Sequence, residues 1–149
     1  MMKKRRMVKV YRFIAIKHFY NLAGYLLPIL AVFVLILGTY GSIGGLYLAP
    51  ADYQQGDAFR IIYVHVPSAF LSLFIYLVMA MAAVIGLIFR IKLADLIVSG
   101  SVFLGSWFTF LALLTGSVWA KPMWGDWWVW DARLTSELIL LFFYLGVIA

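Results

Sequence analysis

An all-α, polytopic membrane helix bundle is the fold this sequence predicts, and three observations predict it. Hydrophobic residues make up 66% of the chain and charged residues only 12%. The apolar positions come in long blocks, each close to the twenty or so residues that cross a hydrocarbon core of roughly 30 Å. Basic residues gather at the amino end and at one short turn, which is how a multi-pass chain marks its cytoplasmic side.

The whole chain, 1–149, reads as one transmembrane domain with four spans. The first covers about 21–43, with Pro28 inside its first two turns, where a missing N–H costs least. Gly44 and Gly45 end it, and the polar stretch from Ala49 to Asp57 is the first loop. The second span, about 67–89, is predicted to start at Pro67, because the proline pushes Val66 away from α geometry and is itself pre-set for a first turn. Arg90, Lys92 and Asp95 form a short turn before the third span, about 96–118, whose Gly100, Gly105 and Gly116 favour close helix packing. The last apolar run, 134–149, is short and lacks a polar flank, so the chain reads as the amino-terminal part of a longer protein.

The net charge of +6 is local. Lys3, Lys4, Arg5, Arg6, Lys9, Arg12 and Lys17 precede the first span with no acidic residue among them, which makes a cytoplasmic anchor against anionic lipid and not a nucleic-acid surface. The apolar run that follows is longer than a signal-peptide core, so it is read as a retained span. With no cysteine, the chain has no disulfide, no thiol redox chemistry and no C-x-x-C-H haem attachment.

The chemistry concentrates between Trp119 and Arg133, where Trp119, Trp124, Trp127, Trp128 and Trp130 interleave with Lys121, Asp126, Asp131 and Arg133. Interfacial tryptophans ordinarily form an anchoring belt, but five in this short stretch exceed what anchoring needs. With Asp126 as cap, a short helix along the outer interface would put Trp124, Trp127, Trp128 and Asp131 on one face. Such an aromatic shelf suits a flat apolar macrocycle with an acidic edge, namely haem, and equally a quinone head or a lipid. Topology brings His65 to the same side, where a neutral imidazole is either a hydrogen-bonded structural group or an axial ligand to iron. His18 belongs to the basic arm on the other side, and Arg133 with Glu137 makes an i, i+4 pair expected to fasten the start of the last span, worth only about 0.3 to 0.5 kcal/mol if exposed.

Trp124-Gly-Asp-Trp-Trp-Val-Trp-Asp-Ala-Arg-Leu-Thr135 resembles the tryptophan-rich WWD signature of haem-handling membrane proteins. Within that group, Arg60-Ile-Ile-Tyr-Val-His65-Val-Pro67 and Ala49-Pro-Ala-Asp-Tyr53 resemble the haem exporter protein C family of the cytochrome c maturation system. The resemblance implies six spans in the bacterial inner membrane and haem b held non-covalently at the periplasmic face. It assigns cofactor binding to His65, Trp119, Trp124, Trp127, Trp128, Trp130, Asp131 and Arg133, with His65 as the metal ligand. In the family a second outer histidine follows the fourth span, beyond Ala149. The implied partners are a periplasmic haem chaperone, the ABC transporter subunits, a small membrane subunit and membrane lipid.

No paired carboxylates in a span and no nucleophile with an adjacent base point to an enzyme. The competing readings are a haem-free membrane anchor subunit and a haem lyase-like membrane enzyme. Both basic clusters place the amino terminus in the cytoplasm. A cysteine introduced at Gln54 is therefore expected to react with an impermeant thiol reagent from outside intact cells, and labelling only after lysis would reverse the topology.

Overall fold

Long apolar blocks separated by glycine and charge give four helices in a computed structural model, which describes residues 16–149. Lys3, Lys4, Arg5, Arg6, Lys9 and Arg12 lie outside the described residues. The helices are α1 (Ile16–Ile43), α2 (Ile62–Phe89), α3 (Lys92–Trp124) and α4 (Ala132–Ile148). Ile16–Leu48, Asp57–Phe89 and Lys92–Trp124 are each long and apolar enough to cross a membrane. The seventeen residues of α4 rise about 25 Å.

Helix α1 begins earlier than the first span expected from sequence, so Pro28 sits in mid-helix and not in the first two turns. The helix runs through it, as apolar spans tolerate. A π-helical turn, Gly44–Leu48, follows, with Gly45 pressed against the Tyr63 ring: a Cβ there would lie 2.7 Å from Tyr63 Cγ.

The next loop is tied internally. Asp52 Oδ1 accepts from the N–H groups of Gln54 and Gln55, each at 2.9 Å, and Gly56 supplies the left-handed φ of 57° that turns the chain back. Arg60 donates to the carbonyls of Leu46 at 3.3 Å and Ala49 at 3.0 Å and pairs with Asp57 at 3.3 Å. One guanidinium thus closes the end of α1 onto the start of α2.

A 3-10 turn, Asp57–Ile61, leads directly into α2. Val66 is helical and Pro67 lies in the second turn, contrary to the start at Pro67 expected from sequence. The preceding 3-10 turn and the contacts of His65 with α3 outweigh the local preference of a pre-proline residue. At the other end Arg90 takes φ 52° and its N–H donates to Gly86 O at 2.8 Å, closing α2 before the turn to α3.

Helices α2 and α4 both pack on α3. The buried residues of α3 are mostly small, including Gly105, Thr109, Ala112, Gly116 and Ala120, and they recur every three or four positions as one stripe. Met79 of α2, Val102 of α3 and Leu140 and Tyr144 of α4 form the core cluster. The Tyr144 ring lies across Gly105, and its hydroxyl donates to the Ser72 carbonyl at 2.7 Å. Helix α1 buries none of its residues.

Because a side chain at Gly105 would collide with the Tyr144 ring, Gly105→Ala is expected to cost about 1–3 kcal/mol by overpacking. Gly100→Ala, where a Cβ meets open space, should be neutral or stabilising. Thermal midpoints of the two variants in detergent check this, and equal midpoints would refute the packing argument.

Candidate functional site

Helix α3 does not stop at Val118. It continues through Trp119 and Pro122 to Trp124, where Gly125 in a left-handed conformation (φ 85°) donates its N–H to Lys121 O at 3.0 Å. Lys121 Nζ then caps the same end by donating to Gly125 O at 2.6 Å. The short helix expected over Trp124 to Asp131 is therefore absent. Residues 125–131 are bends and irregular chain, because the glycine cap ends one helix and Asp131 starts the next.

Asp131 is the N-cap of α4: its Oδ1 accepts from Leu134 N at 2.8 Å, and its Oδ2 accepts from Arg133 Nη2 at 2.7 Å. The backbone N–H of Leu134, followed by the Arg133 guanidinium, lowers the Asp131 pKa below its ordinary value. The cap is thus ionised at neutral pH, and its contribution is lost only as pH falls through that lowered value. Arg133 is consequently not paired with Glu137, as the i, i+4 spacing suggested. Glu137 turns instead to Ser72 of α2, with 2.7 Å between Oε1 and Oγ.

His65 lies in the first turns of α2, half-buried against α3. Its Nδ1 is 3.1 Å from Ala112 O and 3.1 Å from Thr115 Oγ1, while Thr115 Oγ1 is 2.6 Å from Leu111 O. A carbonyl only accepts, so in the neutral ring Nδ1 carries the hydrogen and Nε2 keeps its lone pair. Gly116 makes room for the ring: a Cβ there would lie 3.0 Å from His65 Cε1. Trp119 meets the imidazole edge-on, with centroids 5.7 Å apart, and its indole N–H donates to Gln55 Oε1 at 3.0 Å. The tied loop, α2 and α3 thereby fix one another at the tryptophan-rich end.

A cavity of about 470 Å³ opens beside His65, between α2 and α4 with α3 behind. Its walls bring together His65, Trp119, Trp124, Asp131 and Arg133 from the residues expected on sequence grounds. The Arg133 guanidinium sits over the Trp124 ring, 5.8 Å from its centroid. Trp127, Trp128 and Trp130 are not in that wall. Trp128 and Trp130 pack edge to face at 5.4 Å, and Trp127 lies beside Lys121 Nζ at 6.0 Å. With Trp127 57% and Trp130 75% exposed, the five rings divide among the cavity wall, the Trp128–Trp130 pair and the Lys121 side, and do not make one shelf.

Sequence reasoning passed over Gln55, Thr115 and Ser72, whose roles come from pairings between helices that no local pattern displays, and it named Gly116 for close packing without its partner His65. It read Glu137 only as a surface partner of Arg133, although an acidic residue inside an apolar run was a visible signal. Among the described residues no group of three or more His, Cys, Asp or Glu side chains is arranged to hold a metal ion. A metal centre here would rest on the imidazole and on whatever carries the metal.

The family profile described as Heme exporter protein C matches residues 9–149. Heme exporter protein C of Escherichia coli K12 is 57% identical over 130 residues, which cover 87% of this chain and 53% of that protein. The Bradyrhizobium diazoefficiens protein of the same name is 49% identical over 134 residues (88% and 49%), and that of Paracoccus denitrificans is 40% identical over 131 residues (88% and 54%). The chain spans about half the length of these relatives. The matched stretch contains every helix and every residue of the cavity described above, and the chain belongs to the heme exporter protein C family.

Proposed function

We propose that this protein binds haem b non-covalently at the periplasmic face of the bacterial inner membrane and presents it for assembly of c-type cytochromes. The observation that carries the reading is the 3.1 Å contact of His65 Nδ1 with the Ala112 carbonyl, which leaves Nε2 as the nitrogen for a ligand, in the wall of a cavity of ligand size. Haem, when bound, supplies an iron that accepts an axial imidazole and two carboxylates at one edge.

The residues present fit that group. Thr115 and the Ala112 carbonyl orient the imidazole, the arrangement that metal-ligating histidines normally have around their second nitrogen. Trp119, held by Gln55, limits the tilt of the ring. Leu73, Leu113 and Leu134 give the cavity apolar walls that exclude water. Arg133, kept in place by Asp131 and Trp124 yet largely exposed, is suited to a propionate at the cavity mouth. With no cysteine in the chain, the attachment is reversible, which delivery to an acceptor requires.

The exposed Trp127 and Trp130 lie outside the cavity wall and offer an aromatic surface to an acceptor, which we take to be a periplasmic haem chaperone. The apolar flank of α1 is left for lipid or for the ABC transporter and small membrane subunits of the same system. Both basic clusters favour a cytoplasmic amino terminus. None of these residues forms or breaks a bond of the cargo, so the protein acts as a carrier.

Haem titrated into the purified chain is expected to give a Soret band that His65→Ala abolishes or shifts. That substitution also removes the bond to Ala112 O, worth about 1 kcal/mol, so helix content by circular dichroism is followed alongside. An unaltered haem spectrum in a folded His65→Ala variant would return His65 to a structural role.

A further inference from the structure

Below the mouth of the cavity lies a group the carrier reading does not use. Glu137 lines the cavity six residues along α4 from the Asp131 cap, roughly 9 Å deeper. Ser72, on the facing helix two turns below His65, is fully buried. Its Oγ lies 2.7 Å from Glu137 Oε1 and also 2.7 Å from Ala69 O.

These two short contacts constrain the hydrogens. A serine hydroxyl has one hydrogen and a carbonyl has none to give. If Ser72 donates to Ala69 O, the hydrogen in the second contact comes from Glu137, and the chain of donors runs from Glu137 through Ser72 to Ala69. An ionised Glu137 would leave two acceptors competing for one hydrogen.

Among the described residues the surroundings offer the charged form nothing else. From α2, the only titratable side chains on this face are His65, committed to α3, and Tyr76, which meets Tyr144 edge to face and stacks on Phe143. Helix α3 has no Asp, Glu, Lys, Arg or His between Asp95 and Lys121. On α4, Arg133 is bound to Asp131, and the Tyr144 hydroxyl donates to the Ser72 carbonyl. A carboxylate at this depth would be an unpaired charge in an apolar span, which proteins avoid by keeping the proton.

We propose that Glu137 is a proton site of the cavity: a neutral acid bonded to Ser72 until a cationic metalloporphyrin occupies the space, then a carboxylate that balances the cation. In that step the Glu137 O–H bond breaks, the proton leaves to water at the cavity mouth, and Ser72 Oγ–H turns from Ala69 O to the new carboxylate. No electron is transferred. The step rests on the haem-carrier reading, whereas the resting neutral acid does not. A ferric porphyrin core is cationic and a metal-free one is not, so only the first should displace the proton.

Glu137 is the only glutamate in the chain, so it can be observed without substitution. Chain labelled with 13C at the glutamate carboxyl is examined by infrared spectroscopy in detergent at neutral pH. An isotope-sensitive carboxylic acid band is expected, and Ser72→Ala should shift it. Ferric protoporphyrin should remove the band and metal-free protoporphyrin should leave it, with the Soret region reporting occupancy in both cases. A carboxylate signal in the chain alone would overturn the neutral acid. An acid band that persists with ferric porphyrin bound would overturn the coupling and leave the carrier reading standing. Absence of any Soret change would overturn the carrier reading and the coupling with it, while the band still decides the resting state.

Discussion

The close approach of α2 and α4 to α3 is the constraint on which the rest of the structure depends. In lipid no hydrophobic driving force separates helix from solvent, so association rests on dispersion contacts and on hydrogen bonds between helices. The stripe of Gly105, Thr109, Ala112, Gly116 and Ala120 lets both kinds form. At one level it admits the Tyr144 ring, and two to three turns further along it admits the His65 ring. The site is thus built from the same bare surface that builds the fold.

The polar groups at the tryptophan-rich end are satisfied in a closed sequence. Asp52 shapes the loop, Gln55 takes the Trp119 indole, Trp119 flanks His65, and His65 returns to the backbone of α3. Arg60 and Arg133, the basic residues nearest this end besides Lys121, hold chain geometry through carbonyls and an N-cap carboxylate respectively. Among the described residues two buried side-chain atoms fall outside this pattern: Arg60 Nε and Trp128 Nε1 have no hydrogen-bond partner.

The helical class was legible in the sequence, because blocks of apolar residues are a local signal, and the tryptophan cluster marked a segment that supplies part of the cavity wall. The geometry of the segment was not legible. The spacing of Trp124, Trp127 and Trp128 favours a helix over Trp124 to Asp131, but Gly125 is a stronger instruction than that spacing, since its left-handed conformation ends a helix outright. The partner of Glu137 was equally hidden, because Arg133 is near in sequence while Ser72 is near only after α2 and α4 meet on α3. Pro67 misled for the same reason: local steric preference yielded to contacts made elsewhere along the helix.

The bonds of His65 to α3 have one more consequence. Ala112 O and Thr115 Oγ1 are fixed points on one helix, and the imidazole belongs to another. Sliding α2 along α3 by a single residue, about 1.5 Å, would carry Nδ1 beyond hydrogen-bond reach of at least one of them. The ring therefore acts as a vernier between the two helices, reading their relative position and transmitting it to the nitrogen on its far side.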